Sequence, residues 1–287
     1  MIRRDRPRPP APRRAGSRGR KRAATAAVAA VLAPALLLAG CAQSVDPIER
    51  LGRRAAQGVR PPAPEDAYRR WGLAAPLAAP PGRPAAGPAA HTAAAPRVLD
   101  HVDTADRVVF LTYDDGAERD TEFVDMVREL RLPVSLFLTD GVVGPGYGHF
   151  AALRAVGAQI ENHTFDHAAL RGLPYAGQRA EICGQQDKLR ARFGLRPRLL
   201  RPPYGRYDTT TLRAAADCGI SALVLWRAAL TGGGLAFAHG EQRLRPGDIV
   251  QMGPDGAVGA PLRDRTVRLL RRVQAEGLTV GRLEDYL

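Results

Sequence analysis

Lysine is almost missing from this chain. Of 42 basic residues only Lys21 and Lys188 are lysines, and the arginines are spread along the whole length. So uniform an arginine habit is composition bias rather than a phosphate-binding stripe. It argues against a nucleic-acid partner despite the formal net charge of +13. That charge is also unevenly placed: residues 1–40 carry ten Arg/Lys against one acid, Asp5, leaving 32 basic and 28 acidic residues beyond them. Neither GxGxxG nor a P-loop occurs, so a nucleotide site has no support. No apolar run reaches bilayer length. Ala23–Ala39 is seventeen residues without a charge and contains Pro34, where a membrane span wants roughly 20 apolar residues. With 45% hydrophobic and 25% charged residues, the composition is globular, which excludes a disordered or collagen-like protein.

The N-terminus reads as an address. Arginine-studded residues 1–22 followed by a short apolar run form a secretory signal pattern. Leu38-Ala39-Gly40-Cys41 closes it and resembles the lipobox of bacterial lipoproteins, in which the cysteine thiol is joined to diacylglycerol and becomes the new N-terminus. The alternative is a plain transmembrane anchor with a chance cysteine. The chain has only three cysteines, and one standing at this boundary favours lipidation of Cys41. The expectation is a signal peptide over 1–40 and an extracytoplasmic protein anchored to the cell membrane by lipid. Outside the cytosol the two remaining thiols can oxidise. Cys183 falls in the helical stretch PYAGQRAEICGQQDKLRARFG and Cys218 at the end of TTLRAAADCGI. A disulfide between them is favoured over two buried free cysteines.

Residues 41–100 read as a lipidated N-terminus, a short helix and a linker. Asp46-Pro47 can open a helix, with Ile48, Leu51 and Ala55 at helical spacing. From Trp71 to Pro96 alanine and proline dominate, a composition read as an extended tether. Residues 101–287 change character. Short apolar runs (VVFLT, PVSLFLT, AQIEN, RLL, ALVLW, DIVQM, LTV) alternate with helical ones (TEFVDMVREL, FAALRAVG, the two cysteine helices, RDRTVRLLRRVQAEG). Such alternation implies a parallel sheet, closed as a barrel or open. There is no internal repeat.

The polar residues of interest follow the strands: Asp114-Asp115-Gly116 after VVFLTY, His163 to His167 after QIEN, and Arg201-Pro202-Pro203-Tyr204-Gly205 after LL. In parallel α/β folds the C-terminal strand ends share one face, where catalytic groups gather. Singly, each cluster has a bland reading: a solvated acidic turn, a surface histidine pair, a rigid proline turn. The conjunction and the order carry the signal.

TYDDG, HTFDH and RPPYG in this order on a βα pattern resemble the polysaccharide deacetylase family, carbohydrate esterase family four, over roughly Val108–Leu287. The resemblance implies a distorted (β/α) barrel and metal-dependent removal of acetyl groups from a polysaccharide or oligosaccharide. It implies that Asp115, His163 and His167 bind a divalent metal, usually zinc, and that Asp114 is the general base with Arg201 as its partner. The backbone N–H of Tyr204 would help stabilise the oxyanion, with Pro203 and Trp226 beside the substrate. The chemistry agrees, because one carboxylate and two imidazoles leave positions open, as a catalytic metal site requires.

Two of the family's motifs differ. Where the family has an Asp three residues after the strand-ending Trp, this chain has Ala229; where it has Leu-x-His, this chain has Gln251 and Gly253. In the family that His is the general acid and the Asp tunes it. His239 precedes the strand and is expected at the opposite end of the barrel. Two functions therefore stand: a slow, monomeric deacetylase or acetyl esterase, and a carbohydrate-binding pseudoenzyme that keeps the metal site.

Overall fold

The computed structural model describes residues 64–82, 95–115, 120–231, 233–253 and 260–287. The signal segment, Cys41 and the Asp46 helix lie outside the described residues. In chain order the first elements are α1 (Pro64–Arg70), β1 (Arg97–Leu99), β2 (Val108–Asp114), α2 (Thr121–Leu130) and β3 (Val134–Leu138). Next come α3 (Asp140–Val143), α4 (Tyr147–Ala155), β4 (Gln159–Asn162), α5 (Tyr175–Phe193), β5 (Leu199–Leu200) and α6 (Thr209–Asp217). The last are β6 (Ala222–Val224), β7 (Ala228–Thr231), β8 (Gly234–Phe237), β9 (Ile249–Met252), α7 (Leu262–Ala275) and β10 (Thr279–Val280).

The strands line up as β1-β6-β5-β4-β3-β2-β9-β7-β8, with β10 paired to β2 off this path. Every pairing is parallel except the β7–β8 hairpin. The path ends at β1 and β8, so the sheet is a distorted half-barrel. Period two decides what faces inward. In β2, Val108 and Phe110 join Phe137, Leu199, Val224 and Ile249 in the inner apolar cluster. Val109, Leu111 and Tyr113 pack outward with Phe123 and Met126 of α2 and Leu269 and Leu270 of α7. The same parity carries Asp114 of β2 and Gln251 of β9 to the inner side.

The helices begin and end where local chemistry requires. Asp120 caps α2 by accepting from the Glu122 N–H at 3.0 Å, and Arg131 closes it in a left-handed conformation. Asp208 and Thr211 form a capping box at α6. Among the described residues no helix is long and apolar enough to cross a membrane.

Cys183 of α5 and Cys218 at the end of α6 form a disulfide, with Cα atoms 5.1 Å apart. The bond fits an oxidising, extracytoplasmic compartment. It closes a loop of 35 residues in sequence separation, for which chain entropy gives about 3–4 kcal/mol of stabilisation. Replacing both cysteines by serine is expected to lower the unfolding free energy by that amount in chemical denaturation, and an unchanged unfolding free energy would show that the cross-link contributes nothing.

Over residues 71–75 the structure differs from the tether reading of Trp71–Pro96. Trp71 and Leu73 are buried in the main core, and the Trp71 indole N–H donates to Glu129 at 2.9 Å. Arg271 of α7 donates to the Gly72 carbonyl and Gln274 to that of Ala75. Two large apolar anchors outweigh an alanine- and proline-rich average. The prolines leave carbonyls that helix side chains can use.

Candidate metal centre

The three sequence clusters meet at the C-terminal ends of β2, β4 and β5. Asp115, His163 and His167 each present one ligand atom, and these atoms lie within 4.8 Å of one another. His167 Nε2 stands 3.5 Å from Asp115 Oδ2, and the two imidazole centroids are 4.9 Å apart. His163 is buried, and its Nδ1 donates to the Arg201 carbonyl at 2.7 Å, which leaves Nε2 as the acceptor a metal would use. Asp115 Oδ1 is buried with no hydrogen-bond partner among the described residues. An orphaned carboxylate oxygen beside two imidazoles is the donor set of a divalent cation, so the residues fit a metal. Burial pushes His167 below the ordinary imidazole range, against the pull of Asp115, and favours the neutral form that ligates.

Backbone strain gathers in the same place. Asp115 (φ 61°), Thr164 (φ 72°), His167 (φ 58°) and Tyr204 (φ 59°) adopt the left-handed region that such residues rarely enter. Surrounding bonds hold them there. Thr164 N–H donates to Asn162 Oδ1 at 2.9 Å, and Thr139 Oγ1 donates to the His163 carbonyl at 2.7 Å.

Asp114 does not join the ligand set. Its Oδ1 accepts from Arg201 Nη1 at 2.6 Å and its Oδ2 from Gln251 Nε2 at 2.5 Å. Burial raises its carboxyl, but Arg201, His163 and the two hydrogen bonds outweigh that and hold it below the ordinary range. Arg201 is fully buried. It also donates to the carbonyls of Val224 (3.0 Å) and Leu225 (3.1 Å), and lies over the rings of Phe137 and Trp226. Pro203, Tyr204 and Gly205 form a short 3-10 turn in which Pro203 is buried and Tyr204 is 64% exposed. The Tyr204 ring meets His167 edge-on, 4.9 Å between centroids. A Cβ on Gly205 would meet Trp226 at 3.3 Å, so glycine lets the turn approach that ring.

Among proteins of known sequence, an uncharacterized protein from Streptomyces coelicolor is 56% identical over 94% of this chain and 99% of its own length. The family model described as polysaccharide deacetylase matches residues 101–223. The chain belongs to the polysaccharide deacetylase family. A chitin deacetylase from Amylomyces rouxii is 35% identical over 40% of this chain, which spans 28% of that enzyme. The family's fold recurs in a crystal structure of a pseudoenzyme of this family from Bacillus anthracis. That match has a TM-score of 0.58 at 16% identity, covering 67% of this chain and 69% of that one.

The other sequence-predicted residues fall apart from the centre. His239 bonds Asp100 at 2.7 Å, and its carbonyl accepts from Arg227, which precedes β7. Two features of the sequence went unread. Arg227 forms a fully buried ion pair with Asp248 that ties the β7–β8 hairpin to the start of β9. Gln251 holds the second oxygen of Asp114, and its place on the inner parity of β9 was the available signal.

Proposed function

We propose that this protein is a metal-dependent hydrolase that removes acetyl groups from a cell-envelope or environmental polysaccharide, as N-acetyl amino sugars or O-acetyl sugars, with zinc as its metal. The observation that carries the reading is the separation of roles at β2. Asp115 presents an unsatisfied oxygen to two histidines, while its neighbour Asp114 is ionised and held apart by Arg201 and Gln251. A divalent metal bound there supplies a Lewis acid that polarises the acetyl carbonyl and makes water more acidic. Asp114 takes the proton of the attacking water, the leaving nitrogen or oxygen takes up a proton from solvent as the acetyl C–N or C–O bond breaks, and acetate departs from the amine or alcohol. The Tyr204 N–H helps stabilise the oxyanion, with Pro203 and Trp226 walling the sugar.

The slow step is protonation of the leaving group, because Ala229 and Gly253 stand where the family has an acid pair. The second reading, a carbohydrate-binding pseudoenzyme that keeps the metal site, draws on the same two residues. Assay of zinc-loaded protein from residue 42 to 287 on N-acetylglucosamine oligomers and on O-acetyl sugars separates them. Acetate release supports the hydrolase, and binding without release supports the pseudoenzyme.

Anchoring belongs to this reading. Cys41 carries a diacylglyceryl group and holds the protein at the outer face of the cell membrane, since a single acyl chain binds only marginally. Cys41→Ser is expected to move the protein from the membrane fraction to the soluble fraction, and unchanged fractionation would remove the anchor.

A further inference from the structure

Next in sequence to Tyr204, the surface opens into a groove of about 540 Å³ lined by Gly205, Arg206 and Tyr207. The size falls in the range of small-molecule sites. Two arginines border it: Arg171, four residues past His167, and Arg206, two residues past Tyr204. Both are exposed. Neither guanidinium has a hydrogen-bond, ion-pair or ring partner among the described residues, although this arginine-rich surface pairs many of its other guanidiniums.

The one acid on the groove, Asp208, is already committed. Its carboxylate accepts from the Gly172 N–H at 2.9 Å, the Thr211 N–H at 2.9 Å and the Gln178 amide at 3.2 Å. Those bonds fix the carboxylate on the α6 cap and the loop before α5; its charge offsets one of the two guanidiniums, and the groove lining stays net positive. The half-buried Tyr207 and Leu212 add an apolar floor against which the C–H face of a sugar ring can lie.

We propose that this groove is a subsite for an acidic sugar, so that the protein's substrate is a glycan bearing carboxylate or phosphate groups beside the acetylated residue. The proposal rests on the polysaccharide reading of the metal centre and names its substrate class. Arginine suits the task because its planar fork binds carboxylate and phosphate bidentately. The acidic unit occupies the groove while the neighbouring acetylated sugar reaches across Tyr204 to the metal ligands.

The test compares binding of three glycans by calorimetry, in the zinc-loaded Asp114→Asn protein so that turnover does not intervene. The glycans are an N-acetylglucosamine hexamer, a hyaluronan hexasaccharide whose glucuronates supply carboxylates, and a glycerol-phosphate oligomer carrying N-acetylglucosamine. An acidic glycan is expected to bind about tenfold more tightly than the neutral hexamer at low salt, and to lose most of that advantage as salt is raised. Which acidic glycan gains identifies the source of the charge. Arg171→Ala with Arg206→Ala should abolish the preference and leave the neutral hexamer's affinity unchanged. Equal affinities for all three glycans, or a preference that survives the double substitution, would overturn the subsite while the deacetylase reading stands. Failure to bind any glycan would overturn both.

Discussion

Asp114→Asn lowers acetyl hydrolysis by about 10²–10⁴-fold, the usual range for losing a positioned general base, while the protein keeps its metal. Amide replaces carboxylate at the same size, but it cannot take a proton from water. Metal retention follows from the geometry, because Asp114 is bonded to Arg201 and Gln251 and the ligand atoms belong to Asp115, His163 and His167. The substitution also leaves the fully buried Arg201 without its counter-charge, which costs about 3–5 kcal/mol of stability. Activity is therefore read well below the lowered melting midpoint. His167→Ala gives the converse result: one ligand is gone, bound zinc falls by elemental analysis, and activity falls with it. Full zinc occupancy in that variant would contradict the assignment.

Restoring a general acid produces the other large effect. An amide leaves poorly unless its nitrogen is protonated, whereas an alkoxide leaves more easily. The protein as it stands is therefore expected to favour acetyl esters over N-acetyl groups. Gly253→His with Ala229→Asp is expected to raise N-acetyl hydrolysis by up to about 10²–10⁴-fold and ester hydrolysis by less. The backbone accepts the change. Among the described residues nothing lies within 4 Å of a Cβ built on Gly253, its carbonyl is held by Arg265 at 3.0 Å, and Ala229 pairs directly with Gln251 on the adjacent strand. Parallel kcat/KM values on an acetyl ester and on an N-acetylglucosamine oligomer check it. Equal gains on both would show that the leaving-group proton is not what limits the amide.

The gathering of the site residues on one face was legible in the sequence because its parts are local, while their roles as metal ligands came with the resemblance to the family. Asp115 sits at a strand end, the two histidines are four residues apart, and Arg201 opens a proline turn, so a βα pattern alone brings them to one face. The helix over Thr121–Leu130 was equally readable, since Phe123, Met126 and Val127 recur at helical spacing. The β7–β8 hairpin was not read. Its strands are short and built of alanine, leucine and glycine, which carry little β signal, although the glycine-rich connection between them was a usable turn cue. The packing of Trp71 and Leu73 escaped because composition averages a segment, while burial depends on individual side chains. The Gln251 contact with Asp114 depends on the register of β9 against β2, where Thr112 faces Gln251. No run of residues announces that register.

The most direct measurement is acetate release from acetylated glycans by the purified protein before chelation, after exhaustive chelation, and after zinc is returned. The account predicts acetate release that chelation abolishes and that zinc restores at one equivalent per chain, with neither chelation nor zinc altering the helical signal in circular dichroism. Release that persists in the metal-free protein, or its absence from every acetylated glycan and ester with one zinc bound, would contradict it.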